Sequence, residues 1–209
     1  MTLRSLFATR IYEASFAEEP GFAGFNAELE QACRMLAAED RAGRAWSKAH
    51  GYRGYTSYAS LDDLPRRASA FGALKTRLDR HAAAYAKALR FDLGGRRLRL
   101  DSLWVNVMRP GGAHSGHIHP LSVLSGTVYV AVPQGAGGLR LEDPRLSAMM
   151  ARPPLSPEAM DEERAFVTLS PRPGTLLMWE SWVRHEVMPH AGARTPGGER
   201  VSLSFNYAW

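Results

Sequence analysis

Five of the seven histidines, His114, His117, His119, His185 and His190, lie in the C-terminal half of the 209-residue chain. Three of them crowd into Gly111-Gly-Ala-His-Ser-Gly-His-Ile-His-Pro120. On an extended chain His117 and His119 are separated by one residue, so both rings leave the same face and their nitrogens can converge on one ion. The stretch from Pro110 to Leu139 contains no Asp, Glu, Lys or Arg, which predicts that it is largely buried. A buried neutral imidazole needs a hydrogen-bond partner or a metal, and two in alternation beside a Gly-rich turn favour the metal. The third ligand should come from a different strand, and Trp179-Glu-Ser-Trp-Val-Arg-His185-Glu-Val offers His185.

A second constellation lies at the C-terminus, where Arg200, Ser202, Ser204 and Asn206 alternate with Val201, Leu203, Phe205 and Tyr207. Such a polar face can simply meet water. If it instead looks into a barrel, Arg200 offers a planar fork to a carboxylate, with the Ser202 hydroxyl beside it.

The elements that must position these residues change character near Gly94-Gly95. Before it, Phe25, Leu29, Ala32, Cys33 and Leu36 mark an amphipathic helix between Gly21 and His50. Phe71, Leu74, Leu78, Ala82, Tyr85 and Leu89 mark a second helix behind the start signals Asp62, Asp63 and Pro65. Gly51 to Thr56 reads as a loop between them. From Arg97 onward the pattern alternates, and turn signals at Pro110-Gly112, Pro133-Gly138, Pro171-Gly174 and Pro196-Gly198 separate runs rich in Val, Leu, Thr and aromatics. The expectation is an α+β fold in one domain over 1–209, with a mainly helical support segment at 1–95 and an all-β core at 96–209. The stretch 145–164 reads as a surface excursion.

Composition narrows the function classes. Hydrophobic residues make up 45% and charged residues 22%, which excludes a disordered or fibrous chain. The formal net charge of +5 comes from scattered arginines without a basic block, which argues against a nucleic-acid partner. The single cysteine, Cys33, excludes an internal disulfide and a Cys-rich metal site, and suits a reducing compartment. No apolar run reaches the roughly 18 residues of a membrane span. No membrane partner is expected, and the expected location is the cytoplasm.

The order His117-x-His119, Gly174-Thr-Leu-Leu-Met-Trp179, His185-Glu-Val and Arg200-x-Ser202 resembles the iron(II)- and 2-oxoglutarate-dependent oxygenases over roughly Leu103 to Trp209. Within that family the chain is most similar to small bacterial members carrying His-x-His-Pro followed by a strand such as Ser125-Gly126-Thr-Val-Tyr129. The resemblance implies a double-stranded β-helix, or jelly roll, and Fe(II) held by the His117-x-His119 pair and His185. It implies 2-oxoglutarate as cosubstrate, its far carboxylate held by Arg200 and Ser202 with Tyr129 contacting the same group. The implied activity is hydroxylation of a substrate by O2, coupled to decarboxylation of 2-oxoglutarate to succinate.

One departure from the family pattern concerns His119, which stands where Asp or Glu is usual. Asp143, on a neighbouring stretch, and His114 are the alternative ligands. A cupin shares Gly111 and His117-x-His119 but wants a Glu where this chain has Val123 and Leu124. A catalytically silent metal- or ligand-binding β-sandwich is the remaining alternative, and a carboxylate fork at Arg200 argues against it.

Overall fold

The computed structural model describes residues 2–145, 150–192, 195 and 197–209. Its α-helices are α1 (Phe22–Glu39), α2 (Arg41–Ala49), α3 (Leu64–Arg67) and α4 (Ser69–Ala88). The strands are β1 (Tyr12–Ser15), β2 (Gly54–Thr56), β3 (Arg99–Met108), β4 (His114–His117), β5 (Leu124–Ala131), β6 (Leu139–Glu142), β7 (Phe166–Leu169), β8 (Thr175–Glu180), β9 (His185–Val187) and β10 (Arg200–Ala208). They form a six-stranded sheet in the order β1-β8-β5-β10-β3-β2 and a four-stranded sheet in the order β4-β9-β6-β7, with antiparallel pairing throughout. This is the jelly-roll arrangement.

The period-two pattern decides what each face of the large sheet does. Val105, Val107, Val128, Leu176, Met178, Val201, Leu203 and Phe205 form one core with Leu29, Cys33, Phe71, Leu74 and Leu78 of α1 and α4. The helices therefore cover the outer, apolar face. The opposite face points between the sheets, where Tyr129, Leu177 and Trp179 pack with Leu139 and Leu141 of the small sheet. Arg200, Ser202 and Asn206 are all buried, so the polar face of β10 looks into the barrel and not into water.

Three readings of the sequence are corrected. The first helix breaks at Asp40, which is extended and whose carboxylate accepts from Gly43 N at 2.9 Å, capping α2. Strands also begin before the helices: β1 pairs with β8, and Gly54–Thr56, read as a loop, pairs with β3. The charge-free stretch is buried mainly in its middle: Leu124 to Val130 of β5 are buried, whereas Ile118 and Leu121, in the connection after β4, and Gln134 and Gly135, in the turn after β5, are exposed. Of the expected excursion, 146–149 lie outside the described residues, and 150–164 is exposed apart from Ala159 and Arg164.

Gly126 on β5 shows how closely the outer face is packed. A Cβ there would lie 2.4 Å from Phe205 Cζ and 2.5 Å from the Leu177 carbonyl oxygen. Backbone on one side and a core ring on the other leave it nowhere to go. Gly126→Ala should lower stability by about 1–3 kcal/mol, measured as a fall in the urea midpoint with unchanged slope. An unchanged midpoint would contradict this packing.

Candidate active site

The antiparallel pairing of β4 with β9 sets His117 directly opposite His185. Side chains of such a pair share a face, and the two ring centroids are 4.4 Å apart. His119 follows two residues after His117, so it rises from the same side. Its N–H donates to the Ser181 carbonyl at 3.0 Å, which holds the chain beyond β4 against the turn before β9. The His119 ring lies parallel to that of His185, with an interplanar angle of 6° and the two Nε2 atoms 3.3 Å apart.

One ligand atom from each of His117, His119 and His185 falls within 4.8 Å of the others. Two nitrogens bound at about 2.1 Å and a right angle to one ion lie about 3 Å apart, so the spacing fits a shared metal. The outer nitrogens are already engaged. His117 Nδ1 donates to the Ser115 carbonyl at 2.8 Å, and His185 Nδ1 donates to the Val183 carbonyl at 2.9 Å. Each bond fixes the tautomer that leaves an Nε2 lone pair for a metal.

The alternatives named from sequence fall outside this cluster. Asp143 is held by Arg145, with Arg145 Nε to Oδ1 at 3.0 Å and Nη2 to Oδ2 at 2.9 Å. His114 does reach the same cavity, its ring 5.4 Å from that of His117 and 5.3 Å from that of Tyr52. Three positions separate His114 from His117, an odd interval that ought to send them to opposite faces. A β-bulge between them adds a residue and turns His114 inward. His190 has a structural part: Nε2 donates to the Gly198 carbonyl at 2.7 Å, and Nδ1 accepts from Gly192 N–H at 3.1 Å.

Arg200 enters the cavity from the first position of β10 and is 2% exposed. Its guanidinium carbon lies over the Tyr129 ring, 4.8 Å from the centroid. Among the described residues, Arg200 Nε and the Tyr129 hydroxyl have no hydrogen-bond partner although both are buried. Two unpaired buried donors in one cavity call for an acceptor, and a carboxylate supplies one. Ser202 lines the same cavity two residues along β10, opposite Tyr129 in register.

The cavity is narrow, about 30 Å³, and Tyr52, Trp104, Asn106 and Trp179 also line it. Tyr52, in the loop after Gly51, and Trp179, near His185, are pocket walls that the sequence suggests, whereas the approach of Trp104 and Asn106 depends on long-range pairing. Behind them runs a hydrogen-bonded polar wall. Ser125 Oγ bonds Ser181 Oγ and Asn206 Oδ1, both at 2.8 Å, and Asn206 Nδ2 donates to Ser102 Oγ at 3.0 Å. Through Ser181 this wall anchors the backbone of His119.

Electrostatically the site combines three imidazoles whose protonated forms burial disfavours, at His114, His119 and His185, with one cation, Arg200. Burial, with repulsion from the neighbouring imidazoles, holds His119 down to about 4. Burial also lowers His114 to about 4, with His117 and Arg200 adding to the effect. His185 is lowered to about 3, mainly by burial and against the opposing pull of its bond to Val183. Burial raises the Tyr129 phenol, which stays a hydroxyl donor. Near neutrality these imidazoles carry the lone pairs that a metal requires.

Comparison with known proteins agrees with this geometry. A family model described as "Putative 2OG-Fe(II) oxygenase" matches residues 102–206, half of the chain. No curated protein matches in sequence. Among solved structures, a Pseudomonas putida prolyl-4-hydroxylase is similar at 21% identity, covering 96% of this chain and 94% of its own, with a TM-score of 0.63. The epimerase SnoN from nogalamycin biosynthesis, in complex with Fe3+, α-ketoglutarate and nogalamycin RO, is similar at 20% identity over 96% and 79% of the two chains, TM-score 0.61. HygX from Streptomyces hygroscopicus, with nickel and 2-oxoglutarate bound, is similar at 14% identity over 96% and 82%, TM-score 0.56. At these identities the structural likeness is one of fold, and the family match carries the assignment. The chain belongs to the 2OG-Fe(II) oxygenases, enzymes that use iron(II), 2-oxoglutarate and O2.

Proposed function

We propose that His117, His119 and His185 hold the iron as a three-imidazole face, and that Arg200, Ser202 and Tyr129 receive the far carboxylate of 2-oxoglutarate. The observation that carries this reading is the convergence of three imidazoles in the cavity where Arg200 Nε and the Tyr129 hydroxyl are buried without partners. When bound, iron and 2-oxoglutarate supply an oxidant for a substrate C–H bond, with succinate and CO2 as coproducts. The residues of the chain do the positioning. The Ser115 and Val183 carbonyls orient two of the ligand rings, while Arg200 and Tyr129 fix the diacid by charge and hydrogen bonding. Trp104 and Met108 keep the walls dry, which strengthens each polar contact inside. The reaction is hydroxylation of a small-molecule or peptide substrate. The lone buried thiol of Cys33 and the absence of a helix apolar enough to cross a membrane among the described residues suit work in the cytoplasm.

Anaerobic addition of Fe(II) and 2-oxoglutarate should produce the weak visible charge-transfer band of a chelated 2-oxo acid, and its absence would overturn the reading. Arg200→Ala should retain iron and weaken 2-oxoglutarate by roughly 10- to 100-fold, the worth of a charge-assisted hydrogen bond. Equal affinity would remove Arg200 from the cosubstrate site. His117→Ala and His185→Ala should each abolish iron retention in elemental analysis. An iron content equal to that of the parent protein would exclude the altered residue as a ligand.

The depressed imidazoles also predict a pH dependence for protein stripped of metal. Below the unfolded value of about 6.5 the unfolded chain takes up protons that the folded state refuses, so folding stability is full above that pH. It is lost as pH falls toward the folded values near 4. The thermal midpoint of the metal-free protein should decline through that window, and less steeply in His185→Gln. Identical slopes for the two proteins would contradict a buried neutral ring at His185.

A further inference from the structure

The proposed ligand set leaves a charge unbalanced. Three neutral imidazoles contribute no charge, so a ferrous ion among them keeps both of its own. Buried Arg200 adds another positive charge to the same cavity. A bound 2-oxoglutarate dianion cancels two of the three. Neither Asp nor Glu lines the cavity among the described residues, so one positive charge remains without a partner. With a carboxylate in the place of His119 the same sum would reach zero. An unpaired charge held away from water is costly, and the molecule that enters next is what can relieve it.

A second observation points the same way. Trp179 is 1% exposed, lines the cavity and packs its ring 4.5 Å from that of His185. Its Nε1 is buried without a hydrogen-bond partner among the described residues. An indole N–H only donates, so whatever completes it is an acceptor. Arg200 Nε and the Tyr129 hydroxyl are assigned to 2-oxoglutarate in the reading above. Trp179, on β8 beside His185, is left over.

Resting on that ligand reading, we infer that the substrate brings an anionic oxygen group, a carboxylate or an equivalent oxyanion, into the cavity, where it balances the remaining charge and accepts from Trp179 Nε1. Trp179 is thereby a specificity-determining residue, and the substitution of His for a carboxylate at position 119 selects for an acidic substrate. The uncharged lining at Tyr52, Trp104 and Met108 would take the apolar remainder of the molecule.

Cobalt(II)-loaded protein saturated with 2-oxoglutarate under nitrogen tests this, because the visible d–d bands report both the metal and its surroundings. The probes are acetate and acetamide, similar in size and different in charge. Acetate should shift the bands saturably, with acetamide weaker by about tenfold or more. Trp179→Phe should weaken acetate by about threefold or more and leave 2-oxoglutarate affinity within about twofold. His119→Asp should erase the preference for acetate, while the neutral His119→Asn should keep it. Equal binding of acetate and acetamide by the parent protein overturns the inference, as does an undiminished acetate preference in His119→Asp. A Trp179→Phe variant that loses 2-oxoglutarate but spares acetate overturns the role given to the indole. The parent comparison needs no substitution, so it decides even if both His119 variants release cobalt. Failure of the parent protein to give cobalt bands at all would overturn the ligand reading and the inference together, whereas bands that do not discriminate overturn the inference alone.

Discussion

The register of β4 against β9 is the constraint on which the site depends. It places His117 across from His185, and a slip of one residue would turn one ring to the other face of the small sheet. Two-stranded pairing at an edge is weak by itself, so the register is held from several sides. β9 is also paired with β6, the His119 N–H is bonded to the Ser181 carbonyl, and Ser181 Oγ is bonded into the wall of Ser125, Asn206 and Ser102. The helices act one layer further out. They cover the apolar face of the large sheet, which leaves its polar face free to point inward.

Much of this was legible in the chain because a strand repeats every two residues. That period put His117 with His119 and Arg200 with Ser202, and the change from helical to alternating patterning near Gly94 marked the start of the β core. The failures have equally definite causes. His114, an alternative ligand from sequence, reaches the cavity through a bulge that a strict period of two does not contain. Gly54–Thr56 opens on a glycine three residues after Gly51 and spans three residues, too short to alternate, and it becomes a strand because β3 is there to pair with it. The approach of Trp104, with its ring 5.9 Å from that of His119, depends on a pairing of distant segments that no local pattern encodes. The charge-free stretch misled in a different way: its first half is neutral because it borders the cavity, not because it is buried.

The electrostatics of the cavity follow from the same placement. Packing rings between two sheets removes water from them and disfavours their protonated forms, so His119 and His185 remain neutral donors of lone pairs. Arg200 stays charged in the same space because guanidinium does not give up its proton. A neutral donor set at one end and a cation at the other make an interior in which anions are the favoured guests. Asp143, bonded to Arg145, does not line that interior.

Iron K-edge X-ray absorption of the anaerobic, Fe(II)-loaded protein tests the central claim most directly, because imidazole rings bound to a metal give a distinctive multiple-scattering pattern. Three coordinated imidazoles are the result this account predicts. Fewer than three, or a spectrum unchanged by His185→Ala, would contradict it.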